Sequence, residues 1–210
     1  MQQPLSPYRE ASSNFIYNLL FCDDPELFRS NMKPPYPYPY DILFSPSPKT
    51  GDLEKITTQP GTDPRLKALA YNLLSAKGHR SARKELLGVI VEIGLEDGPD
   101  VLASFQNGTA RYINQAGKVL IWETTDDGRA NKLKDELFDR SREIIDKIGP
   151  WNKARRPNPP RNYARISFLV SDGLYFGEAP TDSLFKDPLA SPALNAATKL
   201  LQYLVEKSVK

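Results

Sequence analysis

Apolar residues recur along the chain with two periods, and the switches between them outline the fold. Between 64 and 77, Leu66, Leu69, Ala70, Leu73 and Leu74 fall on one stripe of a 3.6-residue period. Asp63 suits the cap of this segment, Pro64 its first residue and Gly78 its end, so the spacing predicts a helix over 64–77. From residue 86 the period shortens to two. Val89, Val91 and Ile93 share one face, with Ile90 and Glu92 on the other. Val101, Ala103 and Phe105 alternate, Ala110 and Tyr112 alternate with Arg111 and Ile113, and Val119 to Trp122 form a fourth run. Asp97-Gly98-Pro99, Asn107-Gly108 and Ala116-Gly117 mark the turns between them. Connections this short exclude parallel crossovers, so the four runs predict an antiparallel meander. The first and fourth runs are apolar on both faces, which predicts a sheet partly covered on both sides.

Helical period returns over 128–149, where Leu133, Leu137, Ser141, Ile144, Ile145 and Ile148 form the stripe and Gly149-Pro150 the stop. Ile166, Phe168 and Val170 then alternate, and Asp172-Gly173 turns the chain into Leu174–Gly177. A closing amphipathic helix follows, with Ser191 as its cap and Pro192 as its first residue. The expected fold class is α+β: a four-strand meander plus a C-terminal hairpin in one antiparallel sheet, packed with about three amphipathic helices. No period of 20–50 residues recurs, and the single hairpin NGTARYINQAGKVLIWE is one unit where a repeat array needs at least three.

The first 61 residues differ. Of 19 prolines, nine precede residue 49, four of them within Pro34–Tyr40. Proline fixes φ and lacks an N–H, so 33–40 and 44–49 are expected to be neither helix nor central strand. Upstream, Phe15, Ile16, Leu19 and Leu20 have helical spacing behind Ser12 and Ser13 as possible caps, and Asp24-Pro25 can open a second short helix. Residues 1–61 therefore read as an arm of short helices and an extended Pro/Tyr strap packed on an α+β domain of residues 62–210.

Composition narrows the function. Lys plus Arg is 28 and Asp plus Glu is 26, a net +2, and the isoelectric point near 8.5 is low for a dedicated nucleic-acid domain. One cysteine excludes an internal disulfide and, beside a single histidine, the usual zinc clusters. The opening MQQPLSPYRE lacks the basic-then-apolar pattern of a secretory leader, and no apolar run approaches the ~18 residues that cross a bilayer, so a cytoplasmic protein without membrane contact is expected.

Little in the chain resembles catalytic machinery. His79, the only imidazole, lies in Lys77-Gly78-His79-Arg80 just past a helix end, where a solvated role outweighs a base without a partner. Cys22 sits in an apolar segment, as inert buried cysteines do. Asp23-Asp24, Glu96-Asp97 and Asp126-Asp127 lie at turns or helix starts, where a carboxylate caps backbone N–H groups. Neither a phosphate-cradling glycine motif nor a nucleophile motif occurs; Gly88 and Gly94 stand alone in the first strand and suggest a bulge or a close backbone approach. No catalytic residue, metal ligand or cofactor is assigned, and the balance leans away from an enzyme.

Three features invite a binding role. Lys77, Arg80, Arg83 and Lys84 surround His79. A second basic cluster, Lys153, Arg155, Arg156, Arg161 and Arg165, is interleaved with Trp151 and Tyr163 among prolines. Alternating Pro and Tyr at 34–40 would display Tyr36, Tyr38 and Tyr40 along a stiff polyproline rod, unless the strap buries them against its own domain. The leading expectation is a non-enzymatic interaction or scaffold module, with a protein partner or a second copy bound through Trp151, Arg155, Arg156, Arg161, Tyr163, Tyr36, Tyr38 and Tyr40. Two alternatives stand behind it: a weak nucleic-acid or phosphate-ligand binder using the 151–165 loop, and an enzyme whose carboxylate, Arg and Tyr site is scattered along the chain.

Overall fold

A computed structural model describes residues 4–208. Six strands form one antiparallel sheet: β1 (Leu86–Gly94), β2 (Pro99–Phe105), β3 (Ala110–Ile113), β4 (Val119–Trp122), β5 (Tyr163–Val170) and β6 (Gly173–Pro180), in the order β4-β3-β2-β1-β5-β6. The meander and the C-terminal hairpin are thus joined through β1, and the fold is α+β. The first two meander turns after β2 have the same geometry. Phe105 N–H donates to Thr109 O and Asn114 N–H to Lys118 O, and each loop closes on a glycine with positive φ, Gly108 at 90° and Gly117 at 78°. A left-handed residue in the third loop position is where glycine is favoured.

Both faces of the sheet are covered. On one, α6 (Gly128–Ile145) and α8 (Ser191–Ser208) lay Leu137, Phe138, Ile144, Leu194, Leu200 and Leu204 against Val89, Val91, Leu102, Ile166 and Phe168. On the other, α1 (Ala11–Leu19) and α5 (Pro64–Ala76) bring Tyr17 and Ala68, with Tyr8, Leu20 and Phe21, onto Leu87, Ile90, Val101, Ala103 and Phe105. Alternation along β1 sends Val89 and Val91 to the first face and Ile90 and Glu92 to the second, which is why this strand is buried almost throughout. A third cluster joins α5 to α3 (Tyr40–Leu43) and α4 (Thr50–Thr58) through Leu43, Phe44, Leu53, Ile56, Leu69 and Leu74.

Both isolated glycines of β1 have a packing reason. Pairing with β5 slips between Leu86 and Gly88, a bulge, and a Cβ on Gly88 would sit 3.1 Å from the Phe105 ring. A Cβ on Gly94 would lie 2.1 Å from Pro160 O, so only glycine lets the Pro159-Pro160 backbone pass there.

The arm departs from expectation. The strap is not an extended rod: the carbonyls of Pro37 and Pro39 accept from Tyr40, Asp41, Ile42 and Leu43 N–H, so α3 begins at Tyr40. Proline lacks a donor, but its carbonyl serves a first helical turn as well as any other. The short helix α4 then occupies 50–58, which no apolar stripe announced. Asp24 caps α2 (Pro25–Arg29) as read, through Glu26 N–H. Ser12 and Ser13 lie inside α1 rather than before it; Ser13 Oγ donates to Gly117 O, and Asn14 clamps Tyr8 through its backbone N–H and carbonyl. At the other end, Ser191 is the first residue of α8 and Asp187 holds the turn before it, accepting from Leu189 and Ala190 N–H. A one-turn helix, α7 (Thr181–Leu184), fills the link from β6, and α6 stops at Ile145 with a looser turn in place of its last four expected residues. Among the described residues, no helix is long and apolar enough to cross a membrane.

Candidate functional site

The segment between α6 and β5 is dense in proline and forms neither helix nor strand. Backbone contacts nevertheless hold it along one end of the sheet. Trp151 N–H donates to Leu174 O at 2.7 Å, Asn162 N–H to Gly94 O at 3.0 Å, and the bare backbone of Gly94 receives Pro159 and Pro160.

Beneath this loop lies a row of buried charges set by strand register. Glu92 on β1 pairs with Arg165 on β5, and Arg165 with Glu178 on β6. Glu92 is fully buried and Arg165 is 3% exposed. The Arg165 guanidinium donates from Nη1 to Glu92 Oε2 at 3.4 Å and from Nε to Glu178 Oε2 at 2.7 Å, with a further short contact to Glu178 through Nη2. Nη2 also donates to Pro157 O at 2.6 Å, so the same side chain grips the loop. From α1, the Tyr17 hydroxyl donates to Glu92 Oε1 at 2.7 Å. Burial pushes the Glu92 carboxyl above its usual range, and Arg165 opposes the shift. Burial, then the Glu92 charge, drives the Tyr17 phenol well upward.

Arg155 is buried as well. Its Nε donates to Asp23 at 2.9 Å and its Nη2 to Asn18 Oδ1 at 2.9 Å, and its guanidinium lies 4.0 Å from the Phe21 ring centre. The loop is therefore tied to the arm through Arg155 and to the sheet through Arg165. Burial and charge pairing of this kind are structural: once one partner is removed, the other is left as an uncompensated buried charge.

The outer side of the loop is different. Trp151 stands edge-on to Phe176 at 5.1 Å, donates Nε1–H to Ala154 O, and carries Lys153 over its face at 5.6 Å. The Arg156 side chain is half exposed while it pairs with Glu178 at 3.0 Å. Arg161 is mostly exposed in a loose pair with Glu96 at 3.6 Å, and Tyr163 is 38% exposed. Of the five loop residues singled out from the sequence, Trp151, Arg156, Arg161 and Tyr163 thus reach the surface and Arg155 turns inward. The strap tyrosines separate too: Tyr36 and Tyr40 pack against Phe44, whereas Tyr38 is 50% exposed and donates to Gln59 Oε1.

The paired carboxylates divide in the same way. Asp24 and Asp127 cap helices, Asp23 serves Arg155, and Glu96 and Asp97 hold Arg161 and Arg9 in exposed pairs. Burial pushes the Cys22 thiol far up, which keeps it protonated and unreactive. Neither periodicity nor motif singles out Glu92, Tyr17 or Glu178 as site residues. The available signal was an acid in a strand apolar on both faces, LLGVIVEIG, followed downstream by Arg165 and Glu178 at positions that pair across a hairpin.

Among the described residues, no three His, Cys, Asp or Glu side chains are grouped so as to hold a metal ion. No family model matches the chain, and no curated protein is significantly similar to it.

Proposed function

We propose that the protein is a non-enzymatic interaction module that binds a protein partner through the outer rim of the 151–163 loop. The observation that carries this reading is the contrast within one loop. Its backbone is fastened to β1 and β6 and to Arg165 of β5, its Arg155 side chain is fastened to the arm, and Trp151, Lys153, Arg156, Arg161 and Tyr163 stand at its surface. A partner meeting such a surface orders little further chain, and Trp, Tyr and Arg are the residue types that dominate binding energy at interfaces. The inward turn of Arg155 and Arg165 leaves the loop less charge for a polyanion than the sequence suggests, which weighs against nucleic acid as its ligand.

The test compares the full chain with Trp151→Ala/Arg156→Ala as bait in cross-linked pull-downs from the source cells, beside sedimentation to detect self-association. The reading expects one or more partners, or the dimer, to be depleted about tenfold with the variant, whose melting temperature stays close to that of the parent. Equal recovery by both baits, with no change in mass, contradicts it.

A further inference from the structure

The other basic cluster of the sequence lines a wide concavity between α4, α5 and the connection to β1. Three elements border an open space of about 1080 Å³: the last turns of α4, with Glu54 and Thr58; α5, with Lys67 and Tyr71; and the 78–85 connection from α5 to β1. That volume exceeds what an inorganic ion needs and is slightly above the roughly 300–1,000 Å³ of sites for organic ligands.

The connecting loop is fixed at both ends. Gly78, at φ 84°, closes α5, and His79 N–H reaches back to Leu74 O at 2.9 Å, a C-cap that satisfies a terminal carbonyl and turns the chain beside the helix. Further on, Ser171 ties the loop to the β5–β6 turn, donating to Arg83 O and accepting from Glu85 N–H. Arg80 donates to Asn152 at 3.1 Å and Lys84 to Ile145 O at 3.2 Å.

The charges facing this space do not cancel. Lys67, Arg80, Arg83 and Lys84 line it against Glu54 and Glu85, and Glu85 is already engaged by Lys67 at 3.3 Å. Among the described residues, the side chains of Arg83 and His79 make no ion pair or hydrogen bond; both are exposed, on a loop that is otherwise held in place. By contrast, Arg155, Arg156 and Arg165 are paired, with Asp23, Glu178 and Glu92. Two guanidiniums and an imidazole displayed beside two ammonium groups are donors suited to phosphate oxygens.

We infer that the concavity between α4, α5 and the 78–85 loop is a binding site for a small organic or inorganic polyphosphate, held by Arg80, Arg83 and His79, with Lys67 and Lys84 at its sides. Recognition is electrostatic, because the concavity is wide and open rather than sealed.

Calorimetry on the full chain at low salt tests this, with inorganic tripolyphosphate and adenosine triphosphate as separate probes and a short single-stranded DNA as a third. Tripolyphosphate and the nucleotide should bind with affinity that falls steeply with added salt, and saturation should raise the melting temperature by roughly 3 °C. Arg83→Ala and Arg80→Ala should each weaken binding about tenfold, as expected for loss of one charge-assisted contact, and Arg140→Ala on the outer face of α6 should leave it unchanged. Stronger binding of the nucleotide than of tripolyphosphate assigns the ligand to the organic class, and the reverse to the inorganic one. Because Arg80 and Arg83 are exposed, their removal leaves the fold intact, and unchanged melting of the unliganded variants verifies this. Absence of binding by both phosphates, equal binding by Arg83→Ala, or DNA binding more tightly than either small probe overturns the inference.

Discussion

The two faces of the sheet are built by different physics. Against α6 and α8 the contact is a layer of aliphatic and aromatic side chains, Leu137, Phe138, Leu194 and Leu200 over Val89, Ile166 and Phe168. Against α1 the apolar contact is interrupted by a row of buried charge and its tether, Tyr17–Glu92–Arg165–Glu178, with Arg155–Asp23 beside it. Hydrophobic burial is non-directional and tolerates small displacements, whereas a buried ion pair offsets its desolvation only in good geometry. The first face needs only that helices be amphipathic. The second specifies where the arm and the 151–162 loop must sit, because Arg165 and Arg155 are satisfied in one arrangement.

Substitutions that separate the faces have different signatures. The largest effect is expected from Arg165→Met, which leaves the buried Glu92 without an ion-pair partner and Glu178 with Arg156 alone. It should cost about 4 kcal/mol in urea unfolding, and a loss under about 1 kcal/mol would mean that the row is not stabilising in the way described. Leu137→Ala, in the apolar face, should cost about 3 kcal/mol through the cavity it leaves. That cost should be the same at pH 5 and pH 7.5, since no charge is involved.

Glu92→Gln sharpens the comparison through pH. The folded protein raises the Glu92 pKa above its ordinary 4.5, so in the window just above that value the native state holds a proton that the unfolded chain releases. Stability contributed by this group therefore falls as pH rises through the window, with Tyr17, Arg165, Arg155 and Glu178 as the groups acting on it. Asp63, held below its usual range because Arg65 outweighs its burial, has the opposite slope, so the variant must be compared with the parent at each pH. The parent should lose ground to Glu92→Gln between pH 4.5 and 7; a difference that is flat with pH contradicts the assignment. The smallest effect belongs to Arg9→Ala, whose pair with Asp97 is exposed on both sides. Its removal should change stability by less than about 0.5 kcal/mol.

The same contrast explains what could be read in advance. The six strands and helices α5, α6 and α8 announce themselves through periodicity and turn residues, signals local to each segment. Helices α3 and α4 do not: α3 hides behind Pro37 and Pro39, which act only as acceptors, and Leu53 and Ile56 are too few to make a stripe over Thr50–Thr58. The loop at 151–163 is legible as basic and aromatic, but the direction of each arginine is not. Arg155 turns inward because Asp23 and Asn18, more than a hundred residues earlier, meet it there, and local pattern contains no trace of that pairing. Glu92 is legible as an acid in an apolar strand; Arg165 joins it only through strand register, and Tyr17 only through the packing of α1.

Native-state hydrogen exchange tests most directly whether the arm is fastened to the sheet by that charged row. The arm amides of Tyr17 and Asn18 should open with a free energy close to that of Ile90 and Val91 in β1, and in Arg165→Met they should become separately and much more easily exchangeable while the α6 and α8 amides stay in step with one another. Exchange of Tyr17 and Asn18 at the rate of an unstructured peptide in the parent protein, with β1 fully protected, would contradict the account.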